Sequence, residues 1–147
     1  MTYTEIQKAL ARHMGQWPGR VDVPVWINGA IIPESVSAAR DGPTKAPWVR
    51  FNIIWSKAFT ASIGSKPCRR IPGIITAEIY YPEPVFDSTT TSIKNPALET
   101  LAIADSIAEH FQYWTEDKIT TEAASVVNVD DEADWYRRNV VVDFDAE

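Results

Sequence analysis

The sequence predicts an α+β fold, with a single mainly antiparallel or mixed sheet of about five to six strands and two helices packed on one face. Segments in which apolar side chains alternate with a period of two follow one another, whereas the two segments with a helical period stand far apart. Because the strands run together, a doubly wound α/β sheet is not predicted. The 147 residues are enough for one domain with one core.

The first predicted helix runs from about Tyr3 to Met14. Thr2 and Glu5 have the spacing of a capping box, in which each side chain bonds to the other residue's backbone amide. Gly15 is expected to end the helix. Its apolar face consists of residues that recur at helical spacing, namely Ile6, Ala9, Leu10, His13 and Met14.

The second predicted helix runs from Ala97 to Trp114 and carries the longest regular pattern in the chain. Asn95 is expected to cap its first turn, and Pro96 occupies the first helical position, where a missing N–H costs nothing. One side is apolar and contains Leu101, Ala104, Ile107, Ala108, Phe111 and Trp114. We expect this stripe to organise the core.

Alternation predicts strands over residues 21–28, 48–55, 58–63, 70–81, 118–129 and 135–144. Pro24 cannot donate to a ladder, so the first of these strands is expected at a sheet edge. The last two are expected to form an antiparallel hairpin. Long loops are predicted over about 29–47 and 83–95, and loops of this length in a compact domain are usually functional.

Charge and composition exclude several classes of function. The net charge of −6 argues against a nucleic-acid module that binds by neutralising phosphates. The single cysteine, Cys68, cannot form an internal disulfide, and a reducing compartment is compatible with it. No apolar run has the length of a membrane span, and the first residues lack the pattern of a signal peptide. We therefore expect a protein made and used without export and without a membrane.

Two groups of residues suggest chemistry and are interpreted as structural. The acidic segment 130–134 offers oxygen ligands, but it lacks the spacing and the glycine of a calcium loop. His110 with Glu109 or Asp105 could form an acid–base pair in a small hydrolase, yet no nucleophile motif accompanies them. The sequence predicts no enzyme, no metal site and no cofactor.

The six tryptophans leave two interpretations open. Some belong to the core, and Trp26 and Trp48, beside the long loop, are candidates for a subunit interface. A carbohydrate-binding module that stacks sugars on exposed tryptophans is the alternative.

Four cations bracket a predicted hairpin in this otherwise acidic chain: Lys57, Lys66, Arg69 and Arg70. Such a hairpin is either a solvated tip or a surface that docks onto an acidic partner.

The order of these elements, together with three stretches of sequence, resembles the tail terminator family of long-tailed bacteriophages. The stretches are GIITAEIYYP at 73–82, LAIADSIAEHF at 101–111 and WYRRNVVV at 135–142. The resemblance covers nearly the whole chain. Another neck or tail-completion protein is the alternative within the same class.

The resemblance implies a virion protein, assembled in the host cytoplasm, that forms a hexameric ring. The ring would cap the head-proximal end of the tail tube, stop polymerisation of the tube protein and bind the neck protein of the filled head. DNA would pass through its lumen without specific binding, and no cofactor is implied.

A ring of this kind needs two different faces and a contact that closes on itself. We expect the basic hairpin with Lys57, Lys66, Arg69 and Arg70 to contact the tube, and the strand at 21–28 to pair with a neighbouring subunit. The candidates for the subunit interface are Trp26, Trp48, Asp130, Asp131 and Glu132.

Overall fold

The structure is a computed structural model that describes residues 1–83 and 95–147. Over these residues the helices are α1 (Tyr3–Gly15), α2 (Glu34–Asp41) and α3 (Pro96–Phe111), with a short 3-10 helix at Pro18–Val21. The strands are β1 (Val25–Ile27), β2 (Trp48–Trp55), β3 (Phe59–Thr60), β4 (Arg69–Pro82), β5 (Thr115–Glu116), β6 (Ile119–Asn128) and β7 (Trp135–Ala146).

The strands form one mixed sheet in the order β1-β2-β4-β7-β6-β5, and β3 pairs with the start of β4. Only β1 and β2 run parallel, and every other pairing in the described chain is antiparallel. The predicted α+β class is confirmed. β4 lies between β2 and β7, so the longest strand of the described chain is also central in the sheet.

The main core lies between one sheet face and the helices α1 and α3, as predicted for these two helices. Leu10 and Phe111 are fully buried there against inward-facing strand residues such as Ile75. The rings of Phe51 and Phe111 stack with centroids 5.7 Å apart. Burial of each large apolar side chain stabilises the fold by about 1.5–3 kcal/mol.

A second, smaller core lies on the opposite sheet face, where a loop was expected. The prediction of one long loop over 29–47 is wrong, because α2 forms within it and buries Val36 and Ala39. The helix packs on three aromatic side chains of the sheet, those of Trp48, Tyr80 and Trp135. It has only eight residues and no side-chain cap, so its stability depends on this packing.

Other boundaries also differ from the prediction. The first strand is limited to Val25–Ile27 because residues 18–21 form the 3-10 helix, although β1 is the edge strand as expected. The strand predicted over 58–63 shortens to Phe59–Thr60. α3 ends at Phe111 rather than Trp114, since Tyr113 has a positive φ of 54°. Most of the predicted loop 83–95 lies outside the described residues.

Candidate interaction surfaces

The basic hairpin is present, but its four cations fall into two groups. Lys57 and Lys66 are exposed, as is every residue from 61 to 69. Only two residue pairs hold β3 to β4, so this segment projects from the end of the sheet. It also carries exposed apolar side chains, those of Phe59 and Ile63. The projecting part therefore combines positive charge with apolar surface.

Arg69 and Arg70 lie at the base of this hairpin and hold the chain termini. The Arg70 guanidinium lies 2.7 Å from Asp145 and 3.1 Å from Glu147. The hydrogen bond that Arg70 donates to the Asp145 carboxylate raises the pKa of Arg70. Arg69 donates to the carbonyl of Met1 at 3.2 Å, and its charge lies 5.6 Å from the centre of the Tyr3 ring. Their charges are thus engaged within the molecule.

The acidic turn between β6 and β7 lies at the other end of the sheet. Asp130, Asp131 and Glu132 are exposed, and Glu132 lies 3.2 Å from Arg137. Asp131 also approaches Glu83, and the hydrogen bond between the two carboxyl groups raises the pKa of Glu83. In the described ranges, no three His, Cys, Asp or Glu side chains are placed to hold a metal ion.

The two tryptophans proposed for the subunit interface differ in exposure. Trp48 is only 4% exposed and stacks on Tyr80, with ring centroids 4.0 Å apart. It is a core residue beneath α2 rather than an exposed anchor. Trp26 is half-buried on the edge strand, and the Arg50 guanidinium lies 5.3 Å from its ring centre. Of the other four tryptophans, two are buried and two are half-buried.

A belt of charged side chains crosses the sheet face that carries α2. Glu78 accepts a hydrogen bond from Arg137 at 3.3 Å and lies 3.5 Å from Nε of Arg50. The Arg50 pair has ion-pair distance without hydrogen-bond alignment, so Nε of Arg50 and Oε2 of Glu78 have no hydrogen-bond partner. Sequence reasoning missed this belt because β2, β4 and β7 contribute one member each.

The two histidines form a joint between α1 and α3. Nε2 of His13 bonds to the carbonyl of His110 at 2.7 Å, and Nε2 of His110 bonds to the carbonyl of His13 at 2.6 Å. The rings stack with centroids 3.9 Å apart. Asp105 and Glu109 are exposed and form no ion pair with His110 in the described chain. This arrangement gives His110 a structural contact.

The two sides of the sheet end in different edges. β1 forms one edge and pairs with β2 over only three residues, Val49 to Phe51. On the other side, β5 pairs with β6 only at Ile119 and Thr120, so most of β6 also lies at an edge. Pro24 indicated the edge at β1. The edge at β6 exists because β5 covers only Ile119 and Thr120, and no sequence pattern indicated such a short strand.

Fold and surfaces together define an α+β protein with one mixed sheet, two open edges and charged connections at both ends. Neither a family model nor a curated protein matches the sequence. Several solved structures are similar. One of them has a TM-score of 0.65 and 11% identity, covering 100% of this chain and 96% of the other. The name that protein carries describes no activity, and at this identity the likeness shows a shared fold alone. No described helix has the length and hydropathy to cross a membrane.

Proposed function

We propose that this protein is a structural component of a phage tail, which forms a hexameric ring at the head-proximal end of the tail tube. The ring stops polymerisation of the tube protein and offers a surface to the neck protein, and it remains in the virion. DNA passes through its lumen. The proposal starts from the resemblance to tail terminators, and the surfaces described above support it.

The observation that supports a ring most directly is the pair of unlike edges on opposite sides of one sheet. A ring needs a head-to-tail contact between two different surfaces of the same chain, repeated until the rotation closes. Edge strands are natural surfaces for such a contact because their outer backbone groups are unpaired.

The two ends of the sheet support a ring with unlike faces. β4 starts at the basic hairpin and ends beside the acidic turn, where Pro82 is paired with Trp135. A strand of this length spans about 40 Å. Positive and negative connections are thus separated along the strand direction. A terminator needs this asymmetry, since one face must bind the tube and the other must not extend it.

The test combines ring formation with capping. We expect purified protein to form rings by native mass spectrometry and electron microscopy, and to bind one end of isolated tail tubes and limit their growth. The double variant Lys57→Glu, Lys66→Glu should still form rings and fail to cap. Lys8→Glu with Lys118→Glu, an equal change of charge at exposed positions near the chain termini but outside the hairpin, should cap normally.

Arg69 and Arg70 are unsuitable for this test because they hold the termini, and their reversal would confound capping with folding. Tubes that grow to the same length with and without the protein would contradict the proposal. Binding to the head portal instead of tube ends would identify another neck or tail-completion protein.

A further inference from the structure

Strand β6 presents an open backbone edge. Residues 124–128 pair with β7 on one side. On the other side, the last contact is the bond from the Tyr113 amide to the Glu122 carbonyl at 3.3 Å. Beyond it, no backbone hydrogen bond from residues 1–83 or 95–147 reaches the outer side of 123–128. Within the described ranges, the N–H and C=O groups that point outward there have no backbone partner.

The sequence of this edge lacks the features that usually keep edge strands apart. Residues 123–129 read AASVVNV, without a charge, a proline or a glycine. Val126 and Val127 are 37% and 44% exposed. Edges of monomeric proteins are commonly protected by lysine, proline or a bulge. The irregularity in β6 lies between Thr121 and Ala124, so residues 124–128 pair with β7 in regular register. The edge is therefore suited to pair with another strand.

We propose that the β6 edge pairs with the opposite sheet edge of a second copy of this chain. That edge consists of β1 and the end of β2 at 52–55, which β1 does not cover. A hollow of ≈ 200 Å³ lies at the step between them, lined in part by Ile27, Asn28 and Ile53. This inference rests on the proposed ring and names the contact that closes it.

Charge favours this pairing over pairing between two β6 strands. If two β6 strands met antiparallel over the whole uncharged stretch, Glu122 of each copy would lie opposite Asp130 of the other. Like charges directly opposite each other destabilise a strand pair. At the β1–β2 edge, the positive charge of Lys57 follows the uncovered end of β2. The opposite charges of Arg20 and Asp22, which precede β1, offset each other. The acidic ends of β6 therefore fit the β1–β2 edge better than they fit a second β6.

Cross-linking tests which edges meet. In a Cys68→Ser background, Val127→Cys and Ile54→Cys place thiols on the two edges. Both side chains are exposed and lie on the sheet face that carries α2. A short bismaleimide should link the Val127→Cys protein to the Ile54→Cys protein when they are mixed. Ala102→Cys, which is exposed on α3 and lies on no strand, should give no product. Stronger linking of Val127→Cys to itself would overturn the proposal in favour of a two-fold dimer.

A charge on the edge tests whether the contact builds the ring. Val127→Lys should be monomeric at concentrations where the wild type is a ring. Its thermal midpoint should equal that of the wild type at concentrations where both proteins are monomeric. Ala102→Lys, which adds the same charge at an exposed site on α3, should remain a ring. If Val127→Lys also forms rings, the β6 contact is wrong and the ring itself stands. If the wild type forms no ring, alone or on tubes, both the contact and the proposed function fail.

Discussion

One pair of side chains, His13 and His110, joins the C-terminal parts of α1 and α3. Because a carbonyl oxygen can only accept, each Nε2 must carry a proton, and neutral rings satisfy this requirement. Trp114 stacks on His13 with centroids 4.0 Å apart. A second proton on His13 would place a positive charge inside this partly buried stack.

The stability of the fold should therefore fall in mild acid. Burial lowers the pKa of His13, and the bond to the His110 carbonyl and the charge of Glu116 offset this only in part. The unfolded chain, with its His13 pKa near 6.5, binds the proton more readily than the folded chain. The contribution of His13 to the free energy of unfolding is fully present above pH 6.5. This contribution is lost as the pH falls from 6.5 towards the lower pKa of His13 in the folded chain.

Urea unfolding between about pH 7.5 and about pH 5.5 measures this effect. His13→Gln keeps a donor for the His110 carbonyl but does not titrate, so its unfolding midpoint should depend less on pH. Equal pH dependence in both proteins would show that His13 is not the responsible group.

Gly73 in β4 is a second residue whose identity the packing requires. The rings of Trp55 and Phe144, on the two neighbouring strands, meet edge to face 5.8 Å apart, and both flank Gly73 in the register. A Cβ at this position would lie 2.4 Å from the Phe144 ring and 2.9 Å from the Ile54 carbonyl oxygen. The ring can shift, but the backbone carbonyl cannot shift without breaking the ladder.

Gly73→Ala should therefore destabilise the fold by about 1–3 kcal/mol, the usual cost of overpacking. Chemical denaturation measures the change. Gly15→Ala is the matched control, because a Cβ there meets nothing within 4 Å. If Gly15→Ala lowered the free energy of unfolding as much as Gly73→Ala does, the clash at Gly73 would not explain the effect.

At the scale of elements, those with local signals could be predicted and those that depend on distant contacts could not. Thr2 and Glu5 form the predicted capping box, and Asn95 caps α3 by accepting from the Ala97 amide at 3.0 Å. These contacts span two or three residues, so the sequence contains them. α2 was missed because it has only eight residues and buries only Val36 and Ala39, and because its partners are distant in the chain.

The same distinction explains the candidate surfaces. The positions of Lys57 and Lys66 on a projecting hairpin follow from local pattern, and these residues are exposed as expected. The engagement of Arg70 with Asp145 joins residues 75 positions apart and depends on the register between β4 and β7. No local pattern shows such a pair, nor the short β5 that leaves β6 open.

The dependence of α2 on its aromatic base gives a prediction at this scale. Trp48→Ala should cost about 3–5 kcal/mol, the usual range for a buried tryptophan. It should also raise amide exchange in α2, at Val36 and Ala39, more than in α1. Trp48→Phe keeps a ring over Tyr80 and should restore much of the protection. Unchanged exchange in α2 with Trp48→Ala would show that the helix is held by other contacts.

At the scale of the whole molecule, the hairpin, both termini and β7 form one connected end. The Met1 ammonium donates to the Glu147 carbonyl at 2.6 Å, and Arg70 binds Asp145 and Glu147. This closed end carries the projecting segment with Lys57 and Lys66. A base held together by these bonds suits a protein proposed to dock on a repeating tube, because the base fixes where Lys57 and Lys66 lie.

Assembly should also respond to salt in a direction that net charge decides. Each copy carries a charge of −6, so copies in a ring repel one another, whereas the proposed edge contact relies mainly on backbone bonds and apolar side chains. The Debye length falls from about 30 Å at 0.01 M salt to about 8 Å at 0.15 M. Salt therefore weakens the repulsion between whole subunits more than it weakens the attraction between Lys57 and the acidic ends of β6. We expect the ring fraction, measured by light scattering at fixed protein concentration, to rise over this range.

Lys8→Glu with Lys118→Glu makes each copy more negative and should steepen the rise. A ring fraction that falls with salt would mean that attractive charge pairs, rather than the uncharged β6 edge, dominate the contact between copies.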